Sequence, residues 1–126
     1  MGYVNISEGE WKVMKVLWES APKMGGEIAA ELFDETGWSR PTVFVMLKRL
    51  MAKGAVRLDD SGKHQYYYPA VDRSECRDNE TDSFISRVFD GNAGLLVSSL
   101  AGRHKLSDND IEELKRIIAE AEKERK

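Results

Sequence analysis

Between residues 38 and 58 the chain carries five basic side chains, Arg40, Lys48, Arg49, Lys53 and Arg57, and no acidic one. Cations at that density, with no counter-charge beside them, suit the phosphates of a polyanion. No other grouping of residues offers comparable chemistry. Nucleophilic and metal chemistry both need convergent partners. The single Cys76, His64 and His104 stand in separate segments without metal-ligand spacing. The chain is therefore expected not to be an enzyme, to hold no metal and to need no cofactor. Cys76 reads as a small helix residue in a reducing cytoplasm, with no role that the sequence assigns.

A helix must position those cations. The stretch from Trp38 to Gly54, WSRPTVFVMLKRLMAKG, has Ser39 as a cap, Pro41 in the first turn and Gly54 as a stop. Val43, Met46, Leu47 and Leu50 fall at i, i+3, i+4 and i+7, which predicts a single buried stripe. Pro41, Val45, Lys48, Arg49 and Ala52 lie opposite it, at about 100° per residue. Arg40, Lys48, Arg49 and Lys53 have no acidic neighbour in sequence, and all four are expected to be free for a DNA groove.

The total charge of −3 hides a division. Residues 37–71 carry six Lys and Arg against two Asp, a local +4, whereas residues 72–126 carry ten against thirteen, a local −3. Local field, not net charge, steers a polyanion. No apolar run approaches the ~20 residues of a membrane span, so no membrane insertion is expected. The N-terminus lacks a signal-peptide profile, and Ile6 breaks the myristoylation pattern that Met1-Gly2 would begin.

In chain order, Ser7-Glu8-Gly9-Glu10 has the form of a capping box. The helix behind it sets Trp11, Met14, Leu17 and Trp18 on one face and ends at Ala21-Pro22. A second helix, about Gly25 to Glu35, is predicted to turn Ile28, Leu32 and Phe33 inward, and the Gly25-Gly26 pair is weak start chemistry for it. Thr36-Gly37 leads into the basic helix, which completes a helix-turn-helix. Then the period changes. Ala55–Leu58 and His64–Tyr68 read as strands around the turn Asp59-Asp60-Ser61-Gly62. Tyr67 should face away from Tyr66 and Tyr68, in a strand packed on Trp18 and Trp38. A hairpin directly after a recognition helix is a wing, with Lys63 and His64 at its tip.

From Asp72 the chain is helical again, in three pieces: Phe84, Ile85, Val88 and Phe89 on the first, Leu95, Leu96, Val97 and Leu100 on the second, Ile111, Leu114, Ile117 and Ile118 on the third. These apolar faces cannot all be covered by a winged helix, and a second copy would bury them as a C2 homodimer. The expected fold is thus mainly α with a small β-hairpin wing, a winged helix-turn-helix over 1–71 and a helical dimerisation region over 72–126. The expected DNA contacts are Arg40, Pro41, Thr42, Phe44, Val45, Lys48, Arg49, Lys53, Lys63 and His64. A winged helix used only for protein–protein contact is the alternative.

The segments ISEGEWKVMKVLW, WSRPTVFVMLKRLMAKG, YYYPAV, FISRVFDGN and LSDNDIEELKRII, in this order and spacing, resemble the penicillinase/methicillin-resistance repressor (BlaI/MecI) family. The resemblance implies a dimeric winged-helix repressor, acting on double-stranded DNA at dyad operators to silence β-lactam-resistance or related genes. In the family's best-known members a sensor-linked protease cuts within the dimerisation region, so the resemblance implies such a partner; the cleavage position, typically Asn-Phe, aligns here with Ser99-Leu100. Three departures mark this chain, one of them Ser99-Leu100 in place of that Asn-Phe. Ser39-Arg40-Pro41-Thr42 replaces the family's common S-P-K-T, and Phe44 and Val45 stand where members often carry polar readers.

Overall fold

The computed structural model describes residues 4–125; the reading made at Met1-Gly2 lies outside them. The element order is α1 (Glu8–Ser20), α2 (Gly25–Thr36), α3 (Arg40–Ala52), β1 (Val56–Asp59), β2 (Tyr66–Pro69), α4 (Arg73–Phe89), α5 (Ala93–Gly102) and α6 (Asp108–Glu124). The chain divides into two compact units, Met1–Glu80 and Thr81–Lys126. That division falls inside α4, past the composition change near residue 71, because the first turns of α4 belong to the winged helix. There Cys76 is buried in its core, and Arg73 reaches Glu19 and stacks over Trp18.

In the first unit, each helix starts where its chemistry predicts. Ser7 and Glu10 form the capping box of α1, each side chain accepting from the other's backbone N–H at 3.2 and 2.9 Å. Glu27 reaches back to the Met24 N–H at 2.8 Å to open α2. Gly37 closes α2 in the left-handed region, at φ 70°, with its N–H on the Phe33 carbonyl at 2.7 Å. Gly54, at φ 81°, follows α3; both positions favour glycine.

The core joins Val13, Met14 and Leu17 of α1 to Ile28 and Leu32 of α2, and to Val43, Leu47 and Leu50 of α3. Met46, Trp11, Trp18 and Trp38 pack on its edge. Phe33 departs from expectation: it is 58% exposed. At about 140° from Ile28 and 100° from Leu32 around the helix, it falls on the flank of a stripe that those two residues already fill.

The wing pairs Val56 with Pro69, Arg57 with Tyr68, Leu58 with Tyr67 and Asp59 with Tyr66, antiparallel. Its strands sit slightly later than the alternation predicted, and the tip spans 60–65. Tyr67 alone of the three tyrosines is buried. It also exchanges backbone hydrogen bonds with Lys23 (2.8 and 3.3 Å), a third extended segment that the sequence pattern did not reveal. Trp18 packs against Trp11 with the rings tilted at 59° and centroids 5.3 Å apart, and donates its indole N–H to the Val71 carbonyl at 3.0 Å. Trp38 lies beside Gly9.

In the second unit, Asp90 and Gly91 adopt positive φ between α4 and α5, and Asn92 caps α5 through the Leu95 N–H at 3.0 Å. Ser107 and Asp110 form the capping box of α6. Phe84 and Phe89 meet edge to face at 5.7 Å. Among the described residues from 81 to 125 none is buried.

Candidate nucleic-acid interface

The inward stripe of α3 decides what its outer face presents. With Val43, Leu47 and Leu50 fully buried, Pro41, Val45, Lys48, Arg49 and Ala52 are left exposed on one side, with Arg40 at the helix start. Among the described residues Arg40, Lys48, Arg49 and Lys63 form no ion pair. Two cations outside α3 are engaged, Lys12 of α1 with Glu35 and Lys23, ahead of α2, with Glu31, whereas Lys15 of α1 forms no ion pair among the described residues. Most of the unpaired cations in the winged helix therefore lie on α3 and the wing.

Lys53 corrects the sequence reading. It is not free, because its ammonium pairs with the carboxylate of Glu10 and donates to the Asn5 carbonyl at 2.7 Å. Glu10 is only 2% exposed. Burial pushes its carboxyl up, but the Lys53 ammonium and the Ser7 N–H and hydroxyl outweigh that and hold it below the usual carboxylate range. No acid near in sequence signalled this partner; the packing of α1 on α3 supplies it from 43 residues away.

The start of α3 is held by local bonds. Ser39 accepts from the Thr42 N–H at 3.4 Å, and the two hydroxyls lie 3.0 Å apart. Thr42 is half-buried. The Arg40 guanidinium lies against Gly26 of α2, and the Phe44 ring against Gly25, where a Cβ would run into either group. Phe44 is accordingly half-buried rather than standing out. The glycine pair is thus a close approach of two helices.

Phe44, Val45, Lys48, Met51 and Tyr67 line an open depression of about 270 Å³ between α3 and the wing. On the wing, the Arg57 guanidinium sits 4.2 Å above the Tyr68 ring. The Asp59 carboxylate accepts from the Ser61 hydroxyl and N–H at 2.7 and 3.0 Å, bonds that hold its pKa down. Lys63 and His64 are exposed at the tip, with the His64 ring edge-on to Tyr66 at 6.4 Å.

Of the other expected residues, Phe84, Val88, Leu95, Ile111, Ile117 and Ile118 are exposed, whereas Ile85, Phe89, Leu96, Leu100 and Leu114 are half-buried. Ser99 and Leu100 lie within α5. Among the described residues no helix is long and apolar enough to cross a membrane.

Residues 6–120 match the family model described as penicillinase repressor. The penicillinase repressor of Bacillus licheniformis is 32% identical over 121 residues, 96% of this chain and 94% of that protein. The methicillin resistance regulatory protein MecI of Staphylococcus aureus (strain N315) is 30% identical over 113 residues, 90% and 92% of the two chains. The fold is similar to the solution structure of the DNA-binding domain of the repressor BlaI, with a TM-score of 0.52 at 35% identity. That match covers 59% of this chain and 90% of the other. A second structure, the B. licheniformis BlaI monomer in complex with the blaP half-operator, matches with the same figures.

Proposed function

The chain belongs to the penicillinase repressor family, and from that premise we propose how it acts as a DNA-binding transcriptional repressor: α3 enters the major groove of a dyad operator, one copy per half-site. The observation that carries this reading is the exposed face of α3, whose cations no acid in the described residues neutralises. The relative solved on a half-operator shares this domain at 35% identity.

Arg40 and Lys48 face base edges and adjacent phosphates, since long cationic donors suit guanine O6 and N7 as well as phosphate oxygens. Arg49, Lys63 and His64 contact phosphates. Lys53 and Phe44 position the helix instead, one through Glu10 and the other through Gly25. The second unit supplies the homodimer. With no buried residue among those described and with Leu95 and Ile118 more than half exposed, at 51% and 55%, it leaves apolar surface that a second copy covers. Two recognition helices then meet half-sites one or more turns apart, ~34 Å each. A sensor-linked protease relieves repression at Ser99-Leu100; helical backbone does not fit a protease cleft, so α5 unwinds there first.

Fluorescence anisotropy on the DNA upstream of the protein's own gene and on a shuffled duplex, across a salt series, tests the reading. A steep salt slope with preference for the native sequence is expected. Failure to bind either duplex at low salt would reject it.

A further inference from the structure

We propose that Val45 is the reading residue for a pyrimidine 5-methyl group, so that this repressor selects thymine in the major groove by apolar contact. The inference rests on the reading that α3 enters that groove. Along the centre of the exposed face stand Pro41, Val45, Lys48 and Ala52, at i, i+4, i+7 and i+11. Only Lys48 among them carries a side-chain hydrogen-bonding group. The centre of the face therefore offers only Lys48 to the donors and acceptors of base edges, with Arg40 and Arg49 to either side. The one apolar feature that the major groove displays is the thymine methyl.

Val45 suits that contact. It is 48% exposed, and a β-branched side chain in a helix is nearly confined to one rotamer, so little freedom is lost on contact. It stands at the rim of the depression floored by Phe44, Met51 and Tyr67. The Phe44 ring is held against Gly25, so it walls the depression while Val45 projects. The Lys48 ammonium on the same rim can hold a neighbouring phosphate or guanine and fix the register of the methyl against Val45.

The test selects duplexes from a random library with the full chain, then replaces each enriched thymine singly by deoxyuridine, which removes only the methyl. Burial of one methyl predicts roughly fourfold weaker binding at one thymine per half-site. 5-Methylcytosine placed opposite guanine in a non-enriched library serves as a second probe, and should raise affinity at the same register. Val45→Asn, its helix content checked by circular dichroism, should bring the thymine-to-uracil ratio to about one, and Val45→Ala should give a ratio between that and the wild type's. A wild-type ratio of one, or a Val45→Asn ratio equal to the wild type's, overturns the inference and leaves the repressor reading intact. A chain that binds no duplex at all overturns both.

Discussion

Lys48 and Lys63 are both exposed and unpaired lysines, yet their positions set different work. Lys48 stands in the middle of the exposed α3 face and Lys63 on the wing tip; in the proposed docking the first would reach base edges and the second only backbone. Lys48→Ala is expected to weaken binding to the preferred sequence by about 1–3 kcal/mol and to blur the preference. Lys63→Ala should weaken all duplexes alike and lower the salt slope by about one. Anisotropy on preferred and random DNA separates the two, and equal losses on both for Lys48→Ala would make it a phosphate contact. Lys53 shows what sequence proximity misses. Its lack of acidic neighbours in the chain said nothing about Glu10, which the packing of α1 brings to it.

At the scale of elements, the orientation of α3 is held at both ends. Its C-terminal end is tied to the α1 capping box by the Glu10–Lys53 pair. Because the folded-state carboxyl is held below its ordinary value, the pair contributes stability that is full above the unfolded value of about 4.3 and is lost as pH falls through the folded one. Glu10→Gln should therefore lower unfolding stability at pH 7 by about 1–2 kcal/mol. The gap from wild type should close in denaturant titrations below pH 4, and a gap constant with pH would refute the linkage. Near its start, α3 leans on the glycine pair of α2. Gly25→Ala must displace the Phe44 ring and should cost about 1–3 kcal/mol. Gly26→Ala meets only the mobile end of Arg40, and thermal melts should find it near neutral. The reverse order would refute this account of the pair.

For the whole molecule, the decisive contrast is between a first unit with a buried core and a second unit with none among its described residues. A helical unit with exposed Val97 and Ile117 as well as Leu95 and Ile118 has not finished burying its apolar surface within one chain. Leu114→Asp, on the apolar stripe of α6, is expected to yield monomers in sedimentation velocity. It should also greatly weaken operator binding while sparing the winged helix, since two recognition helices on a dyad multiply one another's selectivity. An unchanged dimer would remove α6 from the interface.

By itself the sequence determined the helices, their caps, the wing and the cationic face of α3. Each of these is set by residues within a few positions of one another: Ser7 with Glu10, Ser39 with Pro41, and the buried stripe of Val43, Leu47 and Leu50 that turns Lys48 and Arg49 outward. The family resemblance rests on those same segments. Only the tertiary structure decided which of the cations are free and which apolar residues are covered. Lys53 is taken by Glu10, Phe44 by Gly25, Tyr67 by its bridge to Lys23, and Phe33 is left in solvent. Those outcomes depend on which helices approach and how closely, and a pattern of one residue against its near neighbours carries no record of a contact made across the fold.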